Sequence, residues 1–256
     1  MAIFDTHCHL NDDLLYKDID RIINDAKENG VTHFLVVGWD YKSSLLAVKI
    51  ATKYEYIYAS VGVHPCNIDE VNDEQFNELC SLLDHPKVVA LGEVGLDYHW
   101  VKDHLQREKQ KEWFIKQIKI ANEYHKPIIV HSRDAMLDTL TILKNHQVEE
   151  KGVLHCYGGS VESLNDVMNL GFYIGLDGPL TFKNAMTPKE VCIKVPLSRL
   201  LVETDCPYLT PHPYRGKINE PKYIPYIIKE ISDIKEMPVS EIEKALYDNA
   251  KKLFHV

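Results

Sequence analysis

Eight short apolar runs alternate along this chain with longer segments that have helical spacing. Each run is rich in Val, Ile, Leu and Phe and has no alternating polar face, which is the pattern of strands covered on both sides. The runs lie at Ile3–Thr6, Phe34–Val37, Ile57–Val61, Val88–Gly92, Ile128–Val130, Val153–Leu154, Phe172–Gly175 and Leu200–Val202. Such strands, alternating with helices, form a parallel α/β fold, either a closed barrel or a doubly wound sheet.

The length of the chain favours the barrel. Its 256 residues match the usual size of one (β/α)8 TIM-barrel domain, although length alone would also allow two domains. No linker, low-complexity tract or internal repeat divides the chain. We therefore predict an α/β fold, a (β/α)8 TIM barrel formed by a single domain over residues 1–256.

The segments between the runs carry helix signals. Apolar residues between Ile19 and Ala26 recur at helical spacing, and Gly30 supplies a stop signal. Near the end of the chain, Ser240 and Glu243 have the spacing of a capping box, which predicts that the last helix begins at Ser240.

The net charge of −9 limits how this protein can bind a partner. Proteins that bind nucleic acid by overall electrostatics usually have the opposite balance. If the substrate is a phosphodiester, its charge must therefore be met locally, by metal ions and a few cationic side chains.

The cysteines and the hydropathy indicate a cytoplasmic protein. Six cysteines lack a CxxC pair or a framework spacing, which is typical of reduced thiols. The first residues show no basic region followed by a long apolar run, and no apolar stretch approaches the roughly 18 residues that span a bilayer. We expect no membrane association and no obligate protein partner.

Polar motifs that contain histidine, glutamate or aspartate lie at the ends of six of the eight apolar runs. In a parallel barrel these positions converge at the carboxyl-terminal face, where active sites lie. His7 and His9 are two residues apart, so on a strand they point the same way and can share a metal. Alone, this pair could equally be two hydrogen-bonded histidines. The whole set makes a metal site the better interpretation: His7, His9, Glu93, His131, His155 and Asp205.

The number and type of these ligands indicate the cofactor. A mixed nitrogen and oxygen set suits Zn²⁺, Mn²⁺, Mg²⁺, Co²⁺, Fe²⁺ or Ni²⁺. Six protein ligands are too many for one ion and fit two divalent metal ions about 3.5–4 Å apart. Glu93 is the natural bridge between them.

Several ordered motifs resemble one family over nearly the whole chain. They read DTHCHL, GVHP, GEVGLDY, PIIVHSR, HCYGGS, ETDCPYLTP and RGKINEP. Together they resemble the TatD family of metal-dependent deoxyribonucleases, which are amidohydrolase-like TIM barrels. The segment Tyr157–Gly159 departs from the aromatic-Ser-Gly sequence usual in that family, which puts one loop contact in doubt.

The resemblance implies how the ligands divide between two metals. The first metal would be held by His7, His9 and Glu93, and the second by Glu93, His131 and His155. Asp205 would complete the site near the first metal and the reactive water.

The candidate catalytic residues are Asp205, Glu93 and His64. Asp205 would orient the attacking water and take its proton, while His64 would donate a hydrogen bond to the phosphate or protonate the leaving group. Alternatively, His64 only orders the loop before Pro65. Glu203 shares the face of Asp205 on a strand, so it either supports a ligand imidazole by a hydrogen bond or binds metal itself.

Candidate substrate-binding residues surround this centre. Arg133 can fork onto a phosphate, and Arg215 and Lys217 lie in the long loop after the last strand. Tyr98, with the neighbouring Trp100, offers a ring on which a base can stack. The alternatives are surface ion pairs for the cations and ordinary packing for the rings.

These features predict a metal-dependent hydrolase of phosphodiester bonds that uses a metal-activated water. The resemblance makes it a deoxyribonuclease, an exonuclease on DNA ends or single strands. One alternative is an amidohydrolase-type enzyme acting on a small amide, lactone or phosphoester, because fold and ligands do not determine the substrate. A metal-binding scaffold without activity is a second, but it would be expected to lack some of the ligands.

Overall fold

A computed structural model, which describes residues 2–256, contains one eight-stranded parallel sheet whose strands pair in chain order. The strands are Ile3–Cys8 (β1), Val31–Val37 (β2), Ile57–Val61 (β3), Val88–Asp97 (β4), Ile128–Arg133 (β5), Gly152–Leu154 (β6), Tyr173–Leu176 (β7) and Leu200–Val202 (β8). The sheet curves into a (β/α)8 TIM barrel, as the sequence predicted.

The two ends of the sheet meet through side chains at β1 and β8. The Thr6 hydroxyl donates to the Val202 carbonyl at 2.9 Å. Beyond β8, Thr204 donates to the Asp5 carboxylate from its backbone N–H at 3.0 Å and from its hydroxyl at 2.6 Å. These buried hydrogen bonds bring the first and last strands together.

The helices form the outer layer. They are Asp13–Tyr16 (α1), Ile19–Glu28 (α2), Tyr41–Lys53 (α3), Asp73–Leu82 (α4), His104–Glu123 (α5), Met136–Asn145 (α6), Val161–Leu170 (α7), Met186–Lys194 (α8), Ile224–Lys235 (α9) and Val239–Phe254 (α10). α2 buries the apolar face predicted for it, and Gly30 follows with a φ of 84°, a left-handed conformation that suits glycine. None of the helices in residues 2–256 is both long and apolar enough to cross a membrane.

The predicted start of the last helix is wrong. α10 begins at Val239, its N-cap is Pro238, and no side chain caps it. Pro238 has a φ of −58°, close to the helical value, so the chain enters the helix before Ser240. Ser240 and Glu243 therefore lie inside the helix and form no capping box.

An apolar cluster fills the barrel interior. It takes residues from strands all around the barrel, including Phe4, Leu35, Ile129 and Leu201. Phe254 of α10 joins this cluster, with its ring centroid 6.3 Å from that of Phe4. The end of the barrel where β1 begins is thus closed by apolar side chains, and polar side chains gather at the other end.

Candidate metal centre

The six predicted ligands come from five places around the carboxyl-terminal end of the barrel. Three lie within strands and three lie within three residues after a strand, and none has more than a small exposed side-chain fraction. They are His7 in β1, His9 after β1, Glu93 in β4, His131 in β5, His155 after β6 and Asp205 after β8.

The first half of the centre joins β1 to the loop after β8. Nε2 of His7 and Nε2 of His9 are 3.2 Å apart. Asp205 Oδ1 lies 3.3 Å from Nε2 of His9 and 3.6 Å from Nε2 of His7. Glu93 Oε2 lies 3.4 Å from Nε2 of His7 and 3.9 Å from Nε2 of His9.

The second half forms around the other oxygen of Glu93. Oε1 lies 2.8 Å from Nδ1 of His131 and 2.8 Å from Nε2 of His155. These two imidazole nitrogens are themselves 3.2 Å apart. The two carboxylate oxygens of Glu93 therefore face different pairs of histidines, an arrangement that suits a carboxylate shared between two cations.

The lowered pKa values of Glu93 and Asp205 agree with a cation site. Although burial opposes ionisation, the charge of His155 and hydrogen bonds from His131 and His155 hold the pKa of Glu93 well below its ordinary value. Burial likewise opposes ionisation of Asp205, but a hydrogen bond from His9 and the nearby His7 lower its pKa. Buried carboxylates kept ionised among converging imidazole nitrogens are the donor set that divalent metals of intermediate softness prefer. The residues present fit a metal.

Asp97 belongs to this centre and was missed by the sequence analysis. Its Oδ2 lies 3.1 Å from Nε2 of His131, and with His64 and His131 it forms one of the groups whose ligand atoms lie within 4.8 Å of one another. A signal existed, because Asp97 is four residues after Glu93 on β4 and so shares its face. A carboxylate on the far nitrogen orients a ligand imidazole.

His64 lies against the centre in a neutral form. Its Nε2 is 3.7 Å from Glu93 Oε1, and its Nδ1 accepts a hydrogen bond from the Cys66 N–H at 3.1 Å. Burial and the neighbouring His131 lower its pKa to about 3. Because Nδ1 is an acceptor, the proton of the neutral ring resides on Nε2, which points into the site.

Glu203 lies behind His155 and is fully buried. Its Oε1 accepts a hydrogen bond from the Cys156 N–H and lies 3.6 Å from Nδ1 of His155. A Cβ atom at Gly175 would lie 2.3 Å from the Glu203 carboxylate, so glycine on β7 makes the room that Glu203 occupies. The carboxylate thus stands beside a ligand imidazole rather than among the ligand atoms.

A cavity of about 550 Å³ opens over the candidate ligands. Arg133 and Trp100 line it together with His64. The Arg133 guanidinium carbon lies 5.6 Å from the centroid of the Trp100 ring, and 69% of Trp100 is exposed. One cationic side chain and one open aromatic face therefore share the cavity with the metal donors.

The structure does not bring Tyr98 into this cavity, so the prediction that its ring stacks on a base is wrong. Tyr98 is buried, and its hydroxyl donates to Asp138 at 2.7 Å. Trp100 offers the exposed ring instead. Neither Arg215 nor Lys217 is among the described residues lining the cavity; Arg215 packs on Phe182 and Lys217 lies over Tyr214.

Comparisons with known proteins give one consistent result. The family model described as TatD related DNase matches residues 4–255. The chain is 45% identical, over 99% of both proteins, to the uncharacterized metal-dependent hydrolase YabD of Bacillus subtilis (strain 168). It is 38% identical to the uncharacterized metal-dependent hydrolase YcfH of Escherichia coli (strain K12), over 100% of this chain and 97% of that protein. The solved structure of the TatD homolog YJJV from Escherichia coli K12 matches with a TM-score of 0.94 and 31% identity, covering 99% of this chain and 98% of that one.

Proposed function

The chain belongs to the TatD family of metal-dependent hydrolases, and from that premise we propose that it hydrolyses phosphodiester bonds. The substrate is DNA, taken at ends or as single strands. Glu93 and the five other proposed ligands would hold the two divalent metal ions that the reaction would use. The description of the matching family as DNases supports this substrate class.

One observation carries the proposal: a guanidinium shares the cavity with the metal donors. Arg133 lines the same space as Glu93 and His155, and its planar fork suits a phosphate better than a neutral amide or lactone. A cation in the cavity is needed for an anionic substrate because the protein as a whole has a net charge of −9 and does not attract a polyanion.

The residues of the cavity have different roles in the proposed reaction. The proposed ligands are His7, His9, Glu93, His131, His155 and Asp205. Bound divalent cations would supply Lewis-acid activation of water and neutralise charge on the phosphate. Asp205, ionised because His9 and His7 lower its pKa, accepts the proton of the attacking water. Arg133 binds a non-bridging phosphate oxygen and so orients the phosphorus towards that water.

His64 stabilises charge rather than giving up a proton. Since its pKa lies at about 3, its ring is neutral at pH 7 and is no source of an acidic proton. Its Nε2–H instead donates a hydrogen bond to a phosphate oxygen, on which negative charge grows in the transition state. Of the two roles predicted from the sequence, this geometry favours the hydrogen bond.

The proposal is tested by substrate class and by one substitution. Purified, metal-loaded protein is assayed on bis(p-nitrophenyl) phosphate and single-stranded DNA, and in parallel on small lactones and amides. We expect phosphodiester hydrolysis, and we expect Asp205→Asn to lower kcat by about 10²–10⁴ at saturating metal, because the water loses its general base. Circular dichroism should show an unchanged fold.

Asp84→Asn is the matched control. Asp84 is exposed and precedes β4, at the end of the barrel away from the centre, so its loss should leave kcat unchanged. Turnover of lactones or amides without phosphodiester hydrolysis would replace our proposal with the amidohydrolase alternative. Full activity in Asp205→Asn would refute the role of Asp205.

A further inference from the structure

A second cavity, of about 590 Å³, lies between the segment after β7 and the long loop after β8. Three side chains that are or can become cationic line it: Lys183, His212 and Arg215. Phe182 and Asn184 contribute to its wall, and no carboxylate is among the described residues that line it. The side chains lining this cavity are thus basic, whereas the protein as a whole has a net charge of −9.

The cations of this cavity are not neutralised by neighbours. The neighbouring Lys189 pairs with Glu230, whereas Lys183 and Arg215 form no ion pair within residues 2–256. The Arg215 guanidinium carbon lies 4.1 Å from the centroid of the Phe182 ring, which orders the side chain while leaving its N–H donors free. An unpaired, ordered guanidinium is suited to bind an anion.

The loop after β8 connects this cavity to the metal centre. Leu209 lines the cavity of the centre and His212 lines the second cavity. Three residues of chain span at most about 11 Å. The loop after β8 is also joined to the segment after β7, because the His212 N–H donates to the Thr181 hydroxyl at 2.8 Å. A Cβ at Gly178 would lie 1.7 Å from the Leu209 carbonyl oxygen, so these backbones touch.

We propose that the second cavity binds a backbone phosphate of the same nucleic-acid strand whose scissile phosphate lies at the metal centre. This inference rests on the proposed function and adds a specificity site to it. Arg215 and Lys183 hold the phosphate, and the fixed spacing of the two cavities makes the protein prefer a strand over a dinucleotide. Arg215 therefore acts on the substrate, at a place different from the reaction centre.

Binding is tested separately from hydrolysis. In the Asp205→Asn protein with metal, fluorescence anisotropy measures Kd for a labelled single strand of about twelve nucleotides, a length within the usual range of single-strand sites. A dinucleotide is measured by competition. Adding Lys183→Ala and Arg215→Ala should weaken binding of the strand by roughly tenfold. The slope of log Kd against log salt should fall by about 0.7, as for one lost phosphate contact.

Lys49→Ala with Lys119→Ala is the control. It removes the same charge from exposed positions on α3 and α5 and should not change the affinity. Equal weakening for strand and dinucleotide, no weakening, or no measurable binding of the strand would each overturn the second site. If binding depends on Lys183 and Arg215 but no phosphodiester is cleaved, the site stands and the proposed activity fails.

Discussion

At the scale of single residues, Glu203 is a buried carboxylate beside one of the proposed metal ligands, His155. Its carboxylate lies 3.6 Å from the free Nδ1 of His155. Carboxylates in this position fix the tautomer of a ligand imidazole and increase its basicity. The space for it exists because residue 175 is glycine.

We predict that Glu203→Gln weakens metal binding by about 10–100-fold, because an amide removes the negative charge beside His155 but keeps the shape. The dissociation constant is measured by titrating metal into metal-free protein. Glu190→Gln, exposed on α8, is the control and should bind metal normally. An unchanged affinity in Glu203→Gln, with the fold intact, would show that Glu203 only fills space.

The residue types of the centre could be predicted because polar side chains at the ends of apolar runs are unusual. Tyr98 could not be assigned correctly from the sequence. Tyr98 directly follows Asp97 in the motif GEVGLDY, but its hydroxyl donates a hydrogen bond to Asp138, forty residues further along the chain. The orientation of an aromatic side chain depends on such distant partners. The residues next to it in the sequence therefore do not predict whether its ring faces the cavity.

At the scale of elements, the strands that contain proposed metal ligands extend beyond the predicted apolar runs. β4 continues to Asp97 and β5 to Arg133, and they stay paired, with Gly95 opposite His131. Ladder hydrogen bonds join backbones whatever the side chain, so a prediction that follows apolar runs ends β4 and β5 too early, whereas β2, β3, β6 and β8 end where their apolar runs end. Glu93 and His131 thus lie on rigid strands rather than on loops.

The attachment of α2 to the segment before α9 depends on four charges. Arg21 donates to Glu220 at 3.0 Å and to Asp25 at 2.9 Å, and Lys222 contacts both carboxylates. Partial burial opposes ionisation of Glu220, yet Arg21 and Lys222 hold its pKa below its ordinary value of 4.5. The folded state therefore favours the ionised carboxylate.

We predict that Glu220→Gln lowers the free energy of unfolding at pH 7 by up to about 1 kcal/mol, since solvent screens these pairs. A lowered pKa means that this contribution is complete above pH 4.5 and disappears as the pH falls through the lower value of the folded state. Urea unfolding of both proteins between pH 7 and pH 3 measures the difference. A difference that grows on acidification would contradict this assignment.

At the scale of the whole molecule, the proposed metal centre depends on closure of the barrel. His7 and Asp205 are far apart along the chain, and they meet because β1 lies beside β8. The Asp205 N–H donates to the His7 carbonyl at 2.9 Å, and the His9 N–H donates to the Cys206 carbonyl at 2.9 Å. The apolar runs alone were compatible with an open sheet, in which these two residues would not meet.

Thr204 is the residue at which closure can be tested. It is fully buried, and its hydroxyl donates to Asp5 Oδ2 at 2.6 Å. Thr204→Val keeps the shape but leaves this carboxylate oxygen without the hydroxyl, so we predict a loss of about 1–3 kcal/mol in the free energy of unfolding. Thr204→Ser keeps the hydroxyl and should lose less. Urea unfolding of the three proteins measures both effects, and equal midpoints for Thr204→Val and the unsubstituted protein would show that this bond does not hold the barrel closed.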